Sequence, residues 1–173
     1  KNDLEKSDLL ILPGVGTFYE AMDNLNKLNL SNFLKDYARD GRPLLGICLG
    51  MQLLADYSYE ISKCEGLGII PGEVISIEKP KWHIGWNNLE VKKNSCLEKF
   101  NNSEVYFNHS FSFQCADQFV HATSVVNYEM KKINACIKRN KTVGLQFHPE
   151  KSQQVGRSEE HTSELQSPMY LVC

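Results

Sequence analysis

Residues 44–54 read LLGICLGMQLL, an apolar run that turns helical in its second half, with Cys48 set between Gly46 and Gly50. A buried cysteine ordinarily behaves as a small hydrophobe. The two glycines point elsewhere. In a GxCxG turn between strand and helix, glycines remove side chains that would clash with a sharply bent backbone and with an approaching substrate. The cysteine is then pushed out at the carboxyl edge of a sheet. At a helix N-terminus Cys48 would feel the positive end of the helix dipole and unpaired N–H groups, both of which favour thiolate. The Leu49 N–H would face an oxyanion formed on an attacked carbonyl.

Upstream, residues 9–12 form a short apolar run stopped by PGVG, as expected of a buried parallel strand. Phe18, Met22 and Leu25 recur at helical spacing and predict an amphipathic helix. Ser31 can cap a second helix that turns Phe33, Leu34, Tyr37 and Ala38 inward and ends at Gly41. Pro43 precedes the LLGI strand, and LGMQLLAD continues as helix. Successive strand, loop, helix units imply right-handed crossovers and a parallel sheet covered by helices. Downstream, GIIPGEVISIEK, SEVYFNHSFSFQ, FVHATSVV and NACIKRNKTVGLQFHPE are rich in β-branched and aromatic residues. Residues 139–141 can close a hairpin, so antiparallel strands are expected to extend the sheet.

A chain of 173 residues, 42% hydrophobic and 23% charged, is long enough for one domain with a substantial core. Its net charge of -2 comes from interspersed acidic and basic residues, which argues against nucleic acid or an anionic membrane as partner. No apolar run approaches the roughly 20 residues that cross a bilayer. The six cysteines, at 48, 64, 96, 115, 136 and 173, show neither a CxxC pair nor zinc-site spacing. Reduced thiols in a cytoplasmic protein, with no metal and no cofactor, are the expectation. The chain opens on Lys1 rather than methionine, so a start is expected to be missing. The tail from Arg157, RSEEHTSELQSPMYLVC, back-translates to a nucleotide string that looks like a sequencing adapter with its index. Residues 157–173 are therefore read as a read-through artefact, disordered or an incidental helix, and set apart from residues 1–156.

A cysteine nucleophile needs a base, and the base needs an orienting group. LQFHPE, residues 145–150, supplies both. Pro149 restricts His148 to an extended conformation, so the chain is expected to stay strand-like with His148 and Glu150 on one side. The carboxylate would fix the imidazole tautomer and stabilise the cation formed when it takes the thiol proton. HPE alone is better read as a strand-end histidine beside a solvated glutamate. Beside the GxCxG turn, Cys48, His148 and Glu150 read as a triad.

Together, GICLGMQLL and QFHPEKS resemble the triad family of class I glutamine amidotransferases. LLILPGVGTF, GLGIIPGEV, HIGWN and YFNHSF look like its glutaminase subunits of imidazole glycerol phosphate synthase, and the likeness spans nearly all of residues 6–156. The resemblance implies a three-layer α/β fold, a mixed and mainly parallel sheet with flanking helices, incomplete in this chain. It implies hydrolysis of glutamine to glutamate and ammonia: Cys48 attacks the amide, His148 protonates the departing ammonia, Glu150 orients His148, and water cleaves the thioester. The oxyanion would be held by Leu49 N–H and by one N–H of the PGVG loop, at Val15 or Gly16. Gln52, His109, Ser110 and Phe111 would hold glutamine's polar ends, although Gln52 also suits a solvated helix and His109 a satisfied strand position. The family passes ammonia to a (βα)8-barrel cyclase in a heterodimer, and Trp86, Asn87, Tyr106 and Lys151 match its docking side. Each of these four could instead be core or solvent-facing, Asn87 and Lys151 more readily than Trp86 and Tyr106.

The sequence also departs from the family. The first strand, its glycine-bearing loop and helix are absent, about 35 to 40 residues or one βα unit, as is the final helix. Exposed sheet edges and apolar surface would then leave the chain poorly soluble or misfolded. KWH stands where VPH is commoner, and HSF where HSY is. Such variation leaves room for a paralogue feeding ammonia to an amidated surface-sugar precursor. A cysteine peptidase, and a non-catalytic scaffold with an idle Cys48, are the readings from other classes.

Overall fold

A computed structural model describes residues 2–78, 81–126, 131–152 and 170–171. A short helix α1 (Asn2–Glu5) leads to strand β1 (Leu10–Leu12), helix α2 (Phe18–Lys27) and helix α3 (Ser31–Arg39). Thr17 caps α2, its Oγ1 accepting from Glu20 N at 3.3 Å, and Phe18, Met22 and Leu25 form the buried face that the spacing predicts. The N-cap of α3 is Leu30, not Ser31. The Leu30 N–H is held by Leu25 O, so α2 runs almost directly into α3 and draws Ser31 into the first turn. There its hydroxyl donates to Asn26 Oδ1 at 2.6 Å. Leu34 and Tyr37 are buried, with Phe33 and Ala38 packed at the margin of the same core. Gly41 ends the unit at φ +73°.

Strand β2 (Leu44–Ile47) then enters Cys48 and the single turn α4 (Leu49–Gln52). This helix is shorter than the LGMQLLAD pattern suggests. The carbonyls just past its end are captured from outside: Leu67 N–H donates to Leu53 O, Gly68 N–H to Ala55 O, and the N–H groups of Ile69 and Ile70 to Leu54 O.

The remaining strands are β3 (Tyr57–Ser58), β4 (Cys64–Glu65), β5 (Glu73–Ser76), β6 (His83–Val91), β7 (Glu104–His109), β8 (Phe111–Gln114), β9 (Val120–Val125), β10 (Lys132–Arg139), β11 (Thr142–Leu145) and β12 (Tyr170–Leu171). The larger sheet runs β12-β1-β2-β11-β10-β9-β6-β7. Its β12, β1, β2 and β11 run parallel to one another, and β10, β9, β6 and β7 extend it antiparallel from β11. The α/β architecture is as expected, with a wider antiparallel half than the sequence reading allowed for. The hairpin between β10 and β11 turns at Asn140, φ 54°. A smaller sheet runs β4-β3-β5-β8. The chain passes from one sheet to the other at Ser110, between β7 and β8. Apart from β12, the tail set aside in the sequence reading, 157–173, lies outside the described residues.

Alternation along the parallel strands separates two cores. Leu10, Leu12 and Leu44 face α2, α3, Met51 and Phe113, whereas Leu45 and Val143 face a second cluster with Phe107, Leu145 and Phe147. On that second face Ile11, Leu45, Ile47 and Val143 are only half-buried.

Candidate active site

The turn at Cys48 is built by contacts that only glycine allows. A Cβ on Gly50 would stand 1.7 Å from Leu12 O, and one on Gly46 would stand 2.6 Å from Gly50 O. Both glycines are therefore required by backbone packing of β1, β2 and α4, the first of the two reasons the motif suggested. The unusual conformation belongs to the cysteine itself, at φ 53° and ψ -110°. An L-residue there stores strain of about 1–3 kcal/mol, held in place by the packing on either side.

A cavity of about 300 Å³ opens at the carboxyl ends of β1 and β2. It brings together Cys48 and His148, the Leu49 backbone with Val15 and Gly16, and the four expected substrate residues Gln52, His109, Ser110 and Phe111. Glu150 is not part of the wall and stands behind His148, its Oε1 2.8 Å from Nδ1. That bond leaves Nε2 as the atom free to exchange a proton. The expected strand does not continue past His148. His148 is extended at φ -101°, but Pro149 starts a 3-10 turn, Pro149–Lys151, which swings the carboxylate back to the ring. The histidine backbone is clamped on both sides. Its N–H donates to Tyr106 O at 2.9 Å, and its carbonyl accepts from Ser152 Oγ at 2.6 Å.

Burial dominates the electrostatics. The Cys48 thiol is pushed up to about 11, chiefly because its anion would lose water, with the Glu150 charge adding to the rise. The Leu49 N–H, Lys151 and Gln146 act in the opposite sense without overcoming it. The helix N-terminus favours the thiolate through the Leu49 N–H, as expected, but one helical turn does not offset the desolvation. The thiol lies 3.9 Å from Asn108 O and 3.8 Å from Gln146 Nε2, and no hydrogen bond joins it to His148 among the described residues. Burial likewise holds His109 down at about 3 and His83 at about 4, so both are neutral.

Sequence reading missed three groups. Glu60, from the loop after β3, lines the cavity while its Oε2 accepts the Phe18 N–H at 2.6 Å. Asn108 contributes to the wall from β7. Gln146 is fully buried and bonds Gln52 at 3.1 Å. A polar residue between Leu145 and Phe147 in an otherwise apolar run was its only sequence signal. Gln52 is itself buried, not a solvated helix residue. Of the four docking candidates, Trp86 and Tyr106 meet edge to face at 5.6 Å and Lys151 lies over the Tyr106 ring at 5.6 Å. Asn87 is on the opposite face of β6 from Trp86, where its amide bonds His83 at 2.7 Å. Among the described residues no cluster of three or more His, Cys, Asp or Glu could hold a metal, and no helix is long and apolar enough to cross a membrane.

The family model for class I glutamine amidotransferases matches residues 1–164. The chain belongs to the class I glutamine amidotransferase family. Among curated relatives, the imidazole glycerol phosphate synthase subunit HisH of Lactococcus lactis is 45% identical over 159 residues, covering 90% of this chain and 78% of that protein. HisH 1 of Campylobacter jejuni is 45% identical over 161 residues, covering 89% and 79%. A crystal structure of a glutamine amidotransferase superposes with a TM-score of 0.70 at 18% identity, covering 92% of this chain and 79% of that one, which shows the shared fold. One from Thermotoga maritima gives 0.61 at 26% identity, over 85% and 58%. This amidotransferase thus carries its family's α/β scaffold with the cavity at the end of β2.

Proposed function

We propose that this chain is the glutaminase subunit of an imidazole glycerol phosphate synthase, hydrolysing glutamine and passing ammonia to a (βα)8-barrel cyclase in a cytoplasmic heterodimer. The reading is carried by one arrangement: a strained cysteine at a strand end, facing the same cavity as a histidine whose far nitrogen is bonded to a carboxylate at 2.8 Å. Glutamine enters with its amide carbon toward Cys48 Sγ. His148 Nε2 takes the thiol proton as the C–S bond forms, and Glu150 stabilises the resulting imidazolium. The Leu49 N–H and one from Val15 or Gly16 receive the oxyanion. The imidazolium then protonates the departing ammonia, and water, activated by the same ring, cleaves the thioester. Gln52 and the main chain at His109, Ser110 and Phe111 hold the polar ends. Glu60, the one carboxylate among the lining residues, suits the substrate's ammonium group.

Without substrate the thiol is held near 11 and has no hydrogen bond to His148 among the described residues, so the pair must close up when glutamine binds. Partner docking is supported by Trp82, just before β6, and by Ile84 and Trp86 on one face of it, which stand 60%, 59% and 39% exposed. Such a row exceeds what a solvated strand ordinarily shows. It continues through Tyr106 toward His148, whose ring lies 6.4 Å from the tyrosine. Ammonia release from glutamine, alone and with a histidine-pathway barrel cyclase and its nucleotide ligand, tests the proposal. Strong stimulation that Cys48→Ala abolishes supports it. Release that needs Cys48 but ignores this partner moves the acceptor to another pathway, and no release at all refutes the glutaminase.

A further inference from the structure

A string of polar groups runs under the cavity from β6 to the nucleophile. Asn87 Nδ2 lies 2.7 Å from His83 Nε2, His83 Nδ1 3.0 Å from His109 Nε2, and His109 Nδ1 2.8 Å from Phe111 O. A carbonyl can only accept, so His109 carries its proton on Nδ1. Its Nε2 must then accept from His83 Nδ1, and His83 Nε2 accepts from the Asn87 amide. One acceptor at the inner end thus sets the direction of every bond, and both rings are neutral, as their burial requires.

The Phe111 carbonyl also accepts from Gln52 Nε2 at 3.1 Å, and the same nitrogen donates to Gln146 Oε1 at 3.1 Å. Both N–H groups of the Gln52 amide are consumed inside the protein. Its Oε1 has no hydrogen-bond partner among the described residues, and no buried side-chain oxygen or nitrogen there is left unpaired. Oε1 therefore reaches the cavity that Gln52 lines. Turning the amide over would set two acceptors, Oε1 and the Phe111 carbonyl, against each other.

We propose that His83 and Gln146 are positioning residues that lock the Gln52 amide with Oε1 toward the cavity, where it accepts an N–H from the substrate's ammonium or carboxamide end. His83 acts through His109 and the Phe111 carbonyl, and Gln146 acts directly while its own Nε2 stands 3.8 Å from Cys48 Sγ. The inference rests on the cavity being a glutamine site, and it concerns substrate affinity more than the chemical step.

The test combines kinetics with nitrogen NMR on the full chain, with its barrel partner for the kinetics. His83→Leu keeps bulk against Phe107, on which the ring stacks at 4.4 Å, and removes the donor. His83→Asn keeps a donor where Nδ1 stands. His83→Leu is expected to raise KM for glutamine about tenfold with kcat within about threefold, the pattern of lost substrate binding, and His83→Asn to restore most of it. In the unmutated chain the nitrogen shifts of His109 should show the neutral Nδ1–H form. If His83→Leu fails to fold, Asn87→Ala, which leaves the stacked ring in place, should raise KM about threefold. A change in kcat alone, an unchanged KM in a folded variant, or His109 protonated on Nε2 overturns the proposal. If the unmutated chain releases no ammonia, the glutamine reading fails, while the His109 tautomer still decides whether the string exists as drawn.

Discussion

Replacing Gly50 with alanine should unfold much of what the Cys48 turn depends on. The new Cβ would stand 1.7 Å from Leu12 O, against an ordinary contact of 3.4 Å or more. Relief requires β1 and α4 to separate by about 1.7 Å, because neither atom is the end of a flexible side chain. Leu12 is 2% exposed and its strand is registered against Gly46, so the movement drags a core residue and a strand pairing with it. Overpacking of a core costs about 1–3 kcal/mol, and a backbone clash without a rotamer escape belongs at or above the upper end, about 3 kcal/mol. Gly41→Ala is the control: φ is +73° but nothing lies within 4 Å, so only the left-handed backbone cost of about 1–2 kcal/mol applies. With a urea slope of about 2 kcal/mol/M, the midpoints should fall by about 1.5 M for Gly50→Ala and about 0.5–1 M for Gly41→Ala. Equal midpoints, or a milder effect at Gly50, would show that the close approach of α4 to β1 is wrong.

Alkylation of Cys48 by iodoacetamide should accelerate nearly tenfold per pH unit from about pH 7 to about pH 10, because a thiol held near 11 titrates only above that range. A plateau below about pH 8 would mean a preformed thiolate. Acid should destabilise the fold through His109 and His83, whose folded values of about 3 and 4 lie below the ordinary 6.5. Their contribution is complete above about pH 6.5 and is lost as pH falls through those folded values, so the urea midpoint should drop steadily between about pH 6 and about pH 4. A double variant, His83→Leu with His109→Leu, should flatten that dependence, and an unaltered slope would place the acid sensitivity elsewhere.

The decisive stretch was legible because its parts are local. An apolar strand, a cysteine between glycines and a helical restart identify a turn at a sheet edge without any tertiary information. HPE supplied the paired histidine and carboxylate, His148 and Glu150, for the same reason. Other features depend on neighbours distant in sequence. The early end of α4 follows from capture of the next carbonyls, at residues 53–55, by residues 67–70. The displaced cap at Leu30 follows from the closeness of α2 and α3. The raised thiol reflects burial, which a motif does not encode, so a dipole argument taken alone gives the wrong sign. Glu60 and Gln146 were missed because tertiary placement alone brings Glu60 from a loop to the cavity wall, and sets Gln146, in a run read as core, beneath it against Gln52. Asn87 and Trp86, adjacent in sequence, lie on opposite faces of β6, and so face different tasks.

The most direct measurement is mass spectrometry of the chain quenched in acid during turnover of glutamine, with and without the barrel cyclase. A glutamyl adduct is expected on the peptide carrying Cys48, increased by the partner and absent in Cys48→Ala. Ammonia release with no adduct at Cys48, or an adduct on another cysteine, would contradict it.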